Sequence, residues 1–130
     1  MKSLVLLICL VACTSNDGGT GPGPDDCLSD SCVCPGAAAC DHACAPGGPP
    51  CHVQCSAGQS CDVLCEPSEE CHVEASTSGF VDVNCNNSAE CHVTCPASNC
   101  TVTNCVGAGC EVTCGLTGIA TRTGTTATCP

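Results

Sequence analysis

His52, His72 and His92 recur every 20 residues, and Asp62 and Asp82 fall midway between them. Imidazole nitrogen is a good ligand for Zn, Cu or Ni, and a carboxylate adds charge that a divalent ion can use. Brought onto one face, such residues would make a metal-binding row. The competing reading is a solvated strand face whose short polar side chains keep the protein soluble. Neighbouring rungs of a sheet lie about 4.8 Å apart, too far for a compact coordination shell unless side chains adjust. The solvated reading is preferred. No metal or cofactor is assigned, and His52, His72 and His92 stand as the candidates to be placed.

Other chemistry is thinner. Glu66, Glu69 and Glu70 crowd one short stretch, but lack the ordered ligand pattern of a calcium loop such as an EF-hand. Ser, His and Asp are all present without a nucleophile elbow or other catalytic spacing, so the chain reads as a non-enzyme. Asn86-Asn87-Ser88 and Asn99-Cys100-Thr101 match a glycosylation acceptor by spacing alone. Thirteen carboxylates face only Lys2 and Arg122. Nucleic acid is excluded as a partner, because phosphate binding needs clustered cationic side chains.

The elements that would carry these residues are short and repeated. Cys51-His52-Val53-Gln54-Cys55 is followed by Cys61-Asp62-Val63-Leu64-Cys65 and Cys71-His72-Val73-Glu74-Ala75. Val81-Asp82-Val83-Asn84-Cys85, Cys91-His92-Val93-Thr94-Cys95, Cys100-Thr101-Val102-Thr103-Asn104-Cys105 and Cys110-Glu111-Val112-Thr113-Cys114 continue the series. A Cys-x-Val-x-Cys unit thus returns about every ten residues, and a fixed period is the mark of a stacked-repeat architecture. Alternation puts Cys and Val on one face of an extended segment and His, Asp and Gln on the other. Gly, Ser, Pro and Asn between the units supply turns.

The cysteines pair across those turns. Four residues of strand hold the two Cys of one unit roughly 13 Å apart, whereas a disulfide needs about 4.4–6.8 Å between Cα atoms. The next unit's first Cys is the remaining neighbour. Ala75 and Val81, the two repeat positions that lack Cys, flank a single turn, so both ends of one bridge are missing together. The expected pairs are Cys27–Cys32, Cys34–Cys40, Cys44–Cys51, Cys55–Cys61, Cys65–Cys71, Cys85–Cys91, Cys95–Cys100, Cys105–Cys110 and Cys114–Cys129. With 20 Cys, one Phe and no Trp or Tyr, staples replace the core that large side chains would otherwise build.

The predicted fold is all-β, a small disulfide-stapled β-solenoid of ~10-residue repeats. The alternative, an antiparallel β-meander, would leave a whole Cys/Val face without a covering layer. It would also set Glu74 opposite Asp82. A coil takes either two units, with the His row on one face and Asp62 and Asp82 on the opposite one, or a single unit, with His and Asp alternating along one row. The design resembles the disulfide-braced solenoid antifreeze proteins of insects, although their regular Thr-x-Thr rows are not reproduced. Residues 27–50 are expected as an irregular Cys-rich N-terminal cap, 51–114 as the repeats, and 115–130 as a Thr/Gly-rich C-terminal cap pinned by Cys129.

The N-terminus reads as an address. Lys2 precedes a nine-residue apolar run, Leu4 to Ala12, too short to span a bilayer and fitting for a secretory signal. Leu10-Val11-Ala12-Cys13 resembles the lipobox of bacterial lipoproteins. The resemblance implies that residues 1–12 are a signal peptide and that the Cys13 sulfur carries a lipid. It further implies a membrane-anchored protein of a bacterial cell envelope, with Thr14 pointing to the outer membrane. Residues 13–26 then form the lipidated Cys and a flexible Gly/Pro tether. Lipid on Cys13 also explains an otherwise odd number of mature cysteines. The expected function is a structural or interaction role at that surface, with an unknown protein or surface partner. The alternative is an extracytoplasmic divalent-metal-binding protein using the His and Asp rows.

Overall fold

A computed structural model describes residues 25–27 (backbone only), 32–34, 39–67 and 69–130. Cys13, the segment expected as a signal peptide, most of the segment expected as a tether, and the Cys27 side chain lie outside the described residues.

Thirteen strands follow one another among the described residues. They are β1 (Asp25–Cys27), β2 (Cys32–Val33), β3 (Cys40–Cys44), β4 (Cys51–Gln54), β5 (Ser60–Leu64), β6 (Glu70–Glu74) and β7 (Phe80–Asn84). β8 (Glu90–Cys95), β9 (Cys100–Thr103), β10 (Cys110–Cys114), β11 (Gly118–Ile119), β12 (Thr121–Thr123) and β13 (Thr126–Cys129) complete the chain. They sort into two sheets: sheet I in the order β1-β3-β5-β7-β9-β13-β12, and sheet II in the order β11-β10-β8-β6-β4-β2. From β1 to β10 every pairing is parallel and joins alternate strands.

The protein is therefore a β-solenoid with two units per coil, not a meander. A parallel neighbour needs a crossover of about a dozen residues. A five-residue turn cannot supply that, but a turn plus the intervening unit on the other sheet can. Each unit is thus the crossover for its neighbours.

Two rows of small apolar side chains meet inside. Val53, Val73, Val93 and Val112 align along sheet II. Val63, Val83, Val102 and Ala127 align along sheet I. Val63, Val83 and Val102 are fully buried. Alternation makes this core without any long side chain, because every second residue of each strand turns inward.

Cysteines line both edges of the coil. Eight bridges have both partners among the described residues: Cys34–Cys40, Cys44–Cys51, Cys55–Cys61, Cys65–Cys71, Cys85–Cys91, Cys95–Cys100, Cys105–Cys110 and Cys114–Cys129, with Cα separations of 5.3–6.0 Å. Cys32 is disulfide-bonded as well. Bridges on successive coils touch: the sulfurs of Cys44 and Cys71 are 3.9 Å apart and those of Cys85 and Cys110 3.6 Å. Ala75 and Val81 flank the unbridged turn between β6 and β7 and are both buried. Val81 sits in register between Cys61 and Cys100.

The turns stack as closely as the strands. Gly58 N–H donates to Thr77 O and Gly79 N–H to Gln59 O, both at 2.9 Å. A Cβ on Gly79 would lie 2.9 Å from the Gly58 carbonyl oxygen, so only glycine lets these turns approach.

The N-terminal end differs from expectation in two respects. Residues 27–50 are not wholly irregular: β3 pairs with β5 in full register and continues the coil, with His42 opposite Val63. β1 begins at Asp25, two residues inside the segment expected as tether. At the other end the parallel rule stops. β13 runs antiparallel to β9, β12 antiparallel to β13, and β11 antiparallel to β10. Arg122 Nη2 donates to the Cys110 carbonyl, tying the cap to the coil below it. Such a reversal closes an edge onto which another parallel strand could otherwise pair.

Candidate metal-binding face and its acidic opposite

Outward residues of sheet II form a grid. His52, His72, His92 and Glu111 occupy successive rungs of its middle column. Glu70 and Glu90 pair in the column before it, and Gln54, Glu74 and Thr94 in the column after it. The strand alternation that buries Cys71 and Val73 turns Glu70, His72 and Glu74 outward together.

Neighbouring imidazoles lie close, and one pair stacks. Ring centroids of His52 and His72 are 4.7 Å apart with planes tilted by 51°, and those of His72 and His92 are 4.9 Å apart and nearly parallel at 12°. Carboxylates stand beside them. Glu70 Oε2 lies 3.7 Å from His72 Nε2, and Glu90 Oε2 lies 3.6 Å from His92 Nε2. Glu111 Oε2 lies 3.3 Å from the other nitrogen of the His92 ring, Nδ1. The three histidines, with Gln54, Glu74 and Thr94, line an open groove of about 420 Å³.

The sequence candidates are thus divided between two faces. Asp62 and Asp82 sit on sheet I, on the far side of the core from the histidines. There Asp41, Asp62, Asp82 and Thr101 share one column. Partial burial, then the charges of Asp82 and Asp41, raise the Asp62 carboxyl above the usual carboxylate range. Along the same sheet, Asn104 Nδ2 donates to Asn84 Oδ1 at 2.9 Å, a side-chain ladder bond between adjacent coils.

A raised carboxyl has a defined sign in stability. The folded state holds its Asp62 proton to higher pH than the unfolded chain does. Stability contributed at this position therefore falls as pH rises from the usual carboxylate range through the raised value. Asp62→Asn removes the repulsion and is expected to raise the melting temperature at neutral pH while leaving it unchanged at acid pH. Melting curves across that range check this, and a variant less stable at neutral pH would contradict it.

Glu90 is the functional candidate that the sequence did not single out, whereas Glu70 stood in an acidic cluster and Glu111 at the outward position of its repeat unit without an assigned role. Glu70 and Glu90 precede the first Cys of their units and read as turn residues, whereas β6 and β8 begin on them. Their own 20-residue interval is the signal that marks them. Glu66 and Glu69 remain in the turn, so the three-carboxylate cluster is divided between turn and strand. Searches of family models, of curated proteins and of solved structures find no match for this chain.

Proposed function

We propose that this is a non-catalytic, lipid-anchored protein of a bacterial cell envelope or surface, in which a rigid stapled solenoid holds two chemically different faces for interaction. The observation that supports this reading best is the in-register repetition of side chains on both sheets. One sheet offers a column of three imidazoles and the other a column of three carboxylates, each with the rung spacing of a sheet, about 4.8 Å. Parallel strand ladders set that spacing, and bridges across the turns tie one sheet to the other. A flat, evenly spaced surface suits a partner that is itself extended, and it needs no enclosed pocket.

The anchor half of the proposal comes from Leu10-Val11-Ala12-Cys13 and from cysteine parity. Eighteen Cys from Cys27 onward can pair completely, which leaves Cys13 for the lipid once Cys9 departs with residues 1–12. An acyl chain contributes about 0.8 kcal/mol per buried CH₂, so a multiply acylated Cys13 holds the protein firmly at a bilayer. The wild-type protein is expected in the membrane fraction with a lipid mass on its N-terminal peptide. Cys13→Ser should abolish both the lipid and the membrane association. A Cys13→Ser protein that is still processed and membrane-bound would overturn the anchor.

A further inference from the structure

We propose that His72, His92, Glu70 and Glu90 form a binding site for a borderline divalent cation, with Zn²⁺ the best fit. This goes beyond the interaction role and does not depend on the anchor.

All four groups lie on two adjacent rungs of one face: His72 pairs with His92, and Glu70 with Glu90. Within each rung, the donor atoms are 3.7 and 3.6 Å apart. Two ligands about 2.0–2.1 Å from a tetrahedral Zn²⁺ stand roughly 3.3 Å from each other. Each His/Glu pair is therefore already close to one edge of a coordination tetrahedron. The remaining movement is between rungs, where the ring centroids are 4.9 Å apart and no three of these donor atoms yet lie within 4.8 Å of one another. The side chains are half-exposed, and rotation at the surface can close that gap. Histidine columns alone lack convergent ligands; the carboxylates supply them.

A third carboxylate orients the site. Glu111 Oε2 faces His92 Nδ1 at 3.3 Å, while Glu90 faces Nε2. A metal-bound histidine commonly gives its second ring N–H to a carboxylate, which fixes the tautomer and makes the ligating nitrogen more basic. In the proposed site Glu111 takes the Nδ1 N–H, which leaves Nε2 for the metal beside Glu90. The backbone beneath is already fixed. Cys71 and Cys91, each between the Glu and the His of its rung, are bridged to Cys65 and Cys85. Little ordering of the chain is left for the metal to offset.

The donor set selects the ion. Two imidazoles favour Zn, Cu or Ni over Ca or Mg, which prefer oxygen throughout. Two carboxylates neutralise the dication, and two nitrogens with two oxygens suit tetrahedral Zn²⁺ without demanding the square plane of Cu²⁺.

Titration of the oxidised protein with Zn²⁺ in a calorimeter, or against a chromogenic chelator, tests the site. Free thiols must first be shown absent by a thiol assay. One Zn²⁺ per chain is expected. His72→Gln, His92→Gln and Glu90→Gln should each weaken binding at least tenfold. Glu111→Gln should weaken it about tenfold with the stoichiometry kept. Asp62→Asn on the opposite face should leave it unchanged. Co²⁺ in place of Zn²⁺ should give the intense visible absorption of a tetrahedral N/O site, lost in His92→Gln. Circular dichroism of each variant separates loss of metal from loss of fold. No binding, binding indifferent to His92→Gln and Glu90→Gln together, or binding abolished by thiol alkylation would each overturn the site.

Discussion

Complete reduction and alkylation of the protein is expected to abolish its strand signal in circular dichroism and its cooperative melting transition. The apolar interior consists of Val, Ala and Cys, with Val63, Val83 and Val102 among its largest fully buried side chains. Burying one valine contributes about 1.5–3 kcal/mol. Fixing each residue's backbone opposes folding by about 1–2 kcal/mol. A core this thin cannot hold so many turns in place. Each small loop closed by a bridge is worth about 2 kcal/mol through the entropy it removes from the unfolded chain. A few such bridges already match the net stability of about 5–15 kcal/mol typical of a domain. Retention of a native spectrum after reduction would show that ladder hydrogen bonds and valine rows suffice alone.

The reverse change is expected to stabilise. Ala75→Cys together with Val81→Cys should form a further bridge and raise the melting temperature by about 5 °C. Val81 occupies the rung between Cys61 and Cys100. Ala75 is held between its neighbours by Cys55 N–H to Glu74 O and Ala75 N–H to Thr94 O, at 2.9 and 2.8 Å. The bridges above and below, Cys55–Cys61 and Cys95–Cys100, both span 5.9 Å between Cα atoms, inside the range a disulfide needs. Closing this loop contributes about 2 kcal/mol. Trimming buried Val81 to Cys costs about 0.8 kcal/mol. The net gain of about 1 kcal/mol corresponds to about 4–8 °C in a domain of this size. Either single variant should lose stability, because Val81→Cys trims packing and Ala75→Cys crowds a buried site, and each leaves an unpaired thiol. Differential scanning calorimetry of the three proteins decides the matter, and a double variant that melts below wild type would contradict the expected geometry.

What could be read beforehand followed from short-range physics. Alternation fixes which side chains face inward, so strands and interior were legible from Cys-x-Val-x-Cys alone. Turn-spanning partners were legible too, because extended backbone separates the two Cys of one unit. The number of units per coil was not. Both arrangements give the same alternation and the same local bridges; they differ only in whether a strand bonds to the unit ten or twenty residues away. That choice rests on crossover length, which no single unit reports. β3 was missed for a different reason. His42 stands where later units have Val, which breaks the pattern although its strand pairs normally. Glu70 and Glu90 were hidden because they look like turn residues until the strands are seen to start on them.

Two units per coil also governs how such a gene can change length. An insertion or deletion of twenty residues adds or removes one full turn and leaves every downstream residue on its original face. A change of ten keeps the inward rows apolar, since apart from Ala75, Val81 and His42 the units present Cys and Val at the same inward positions, but moves everything downstream to the opposite sheet. Inserted just after Cys65, a single unit would bring His72 onto the column headed by Asp41 and Asp62. Folding would be conserved while the surface was rewritten, so one duplication event can recombine the imidazole and carboxylate columns without any point mutation.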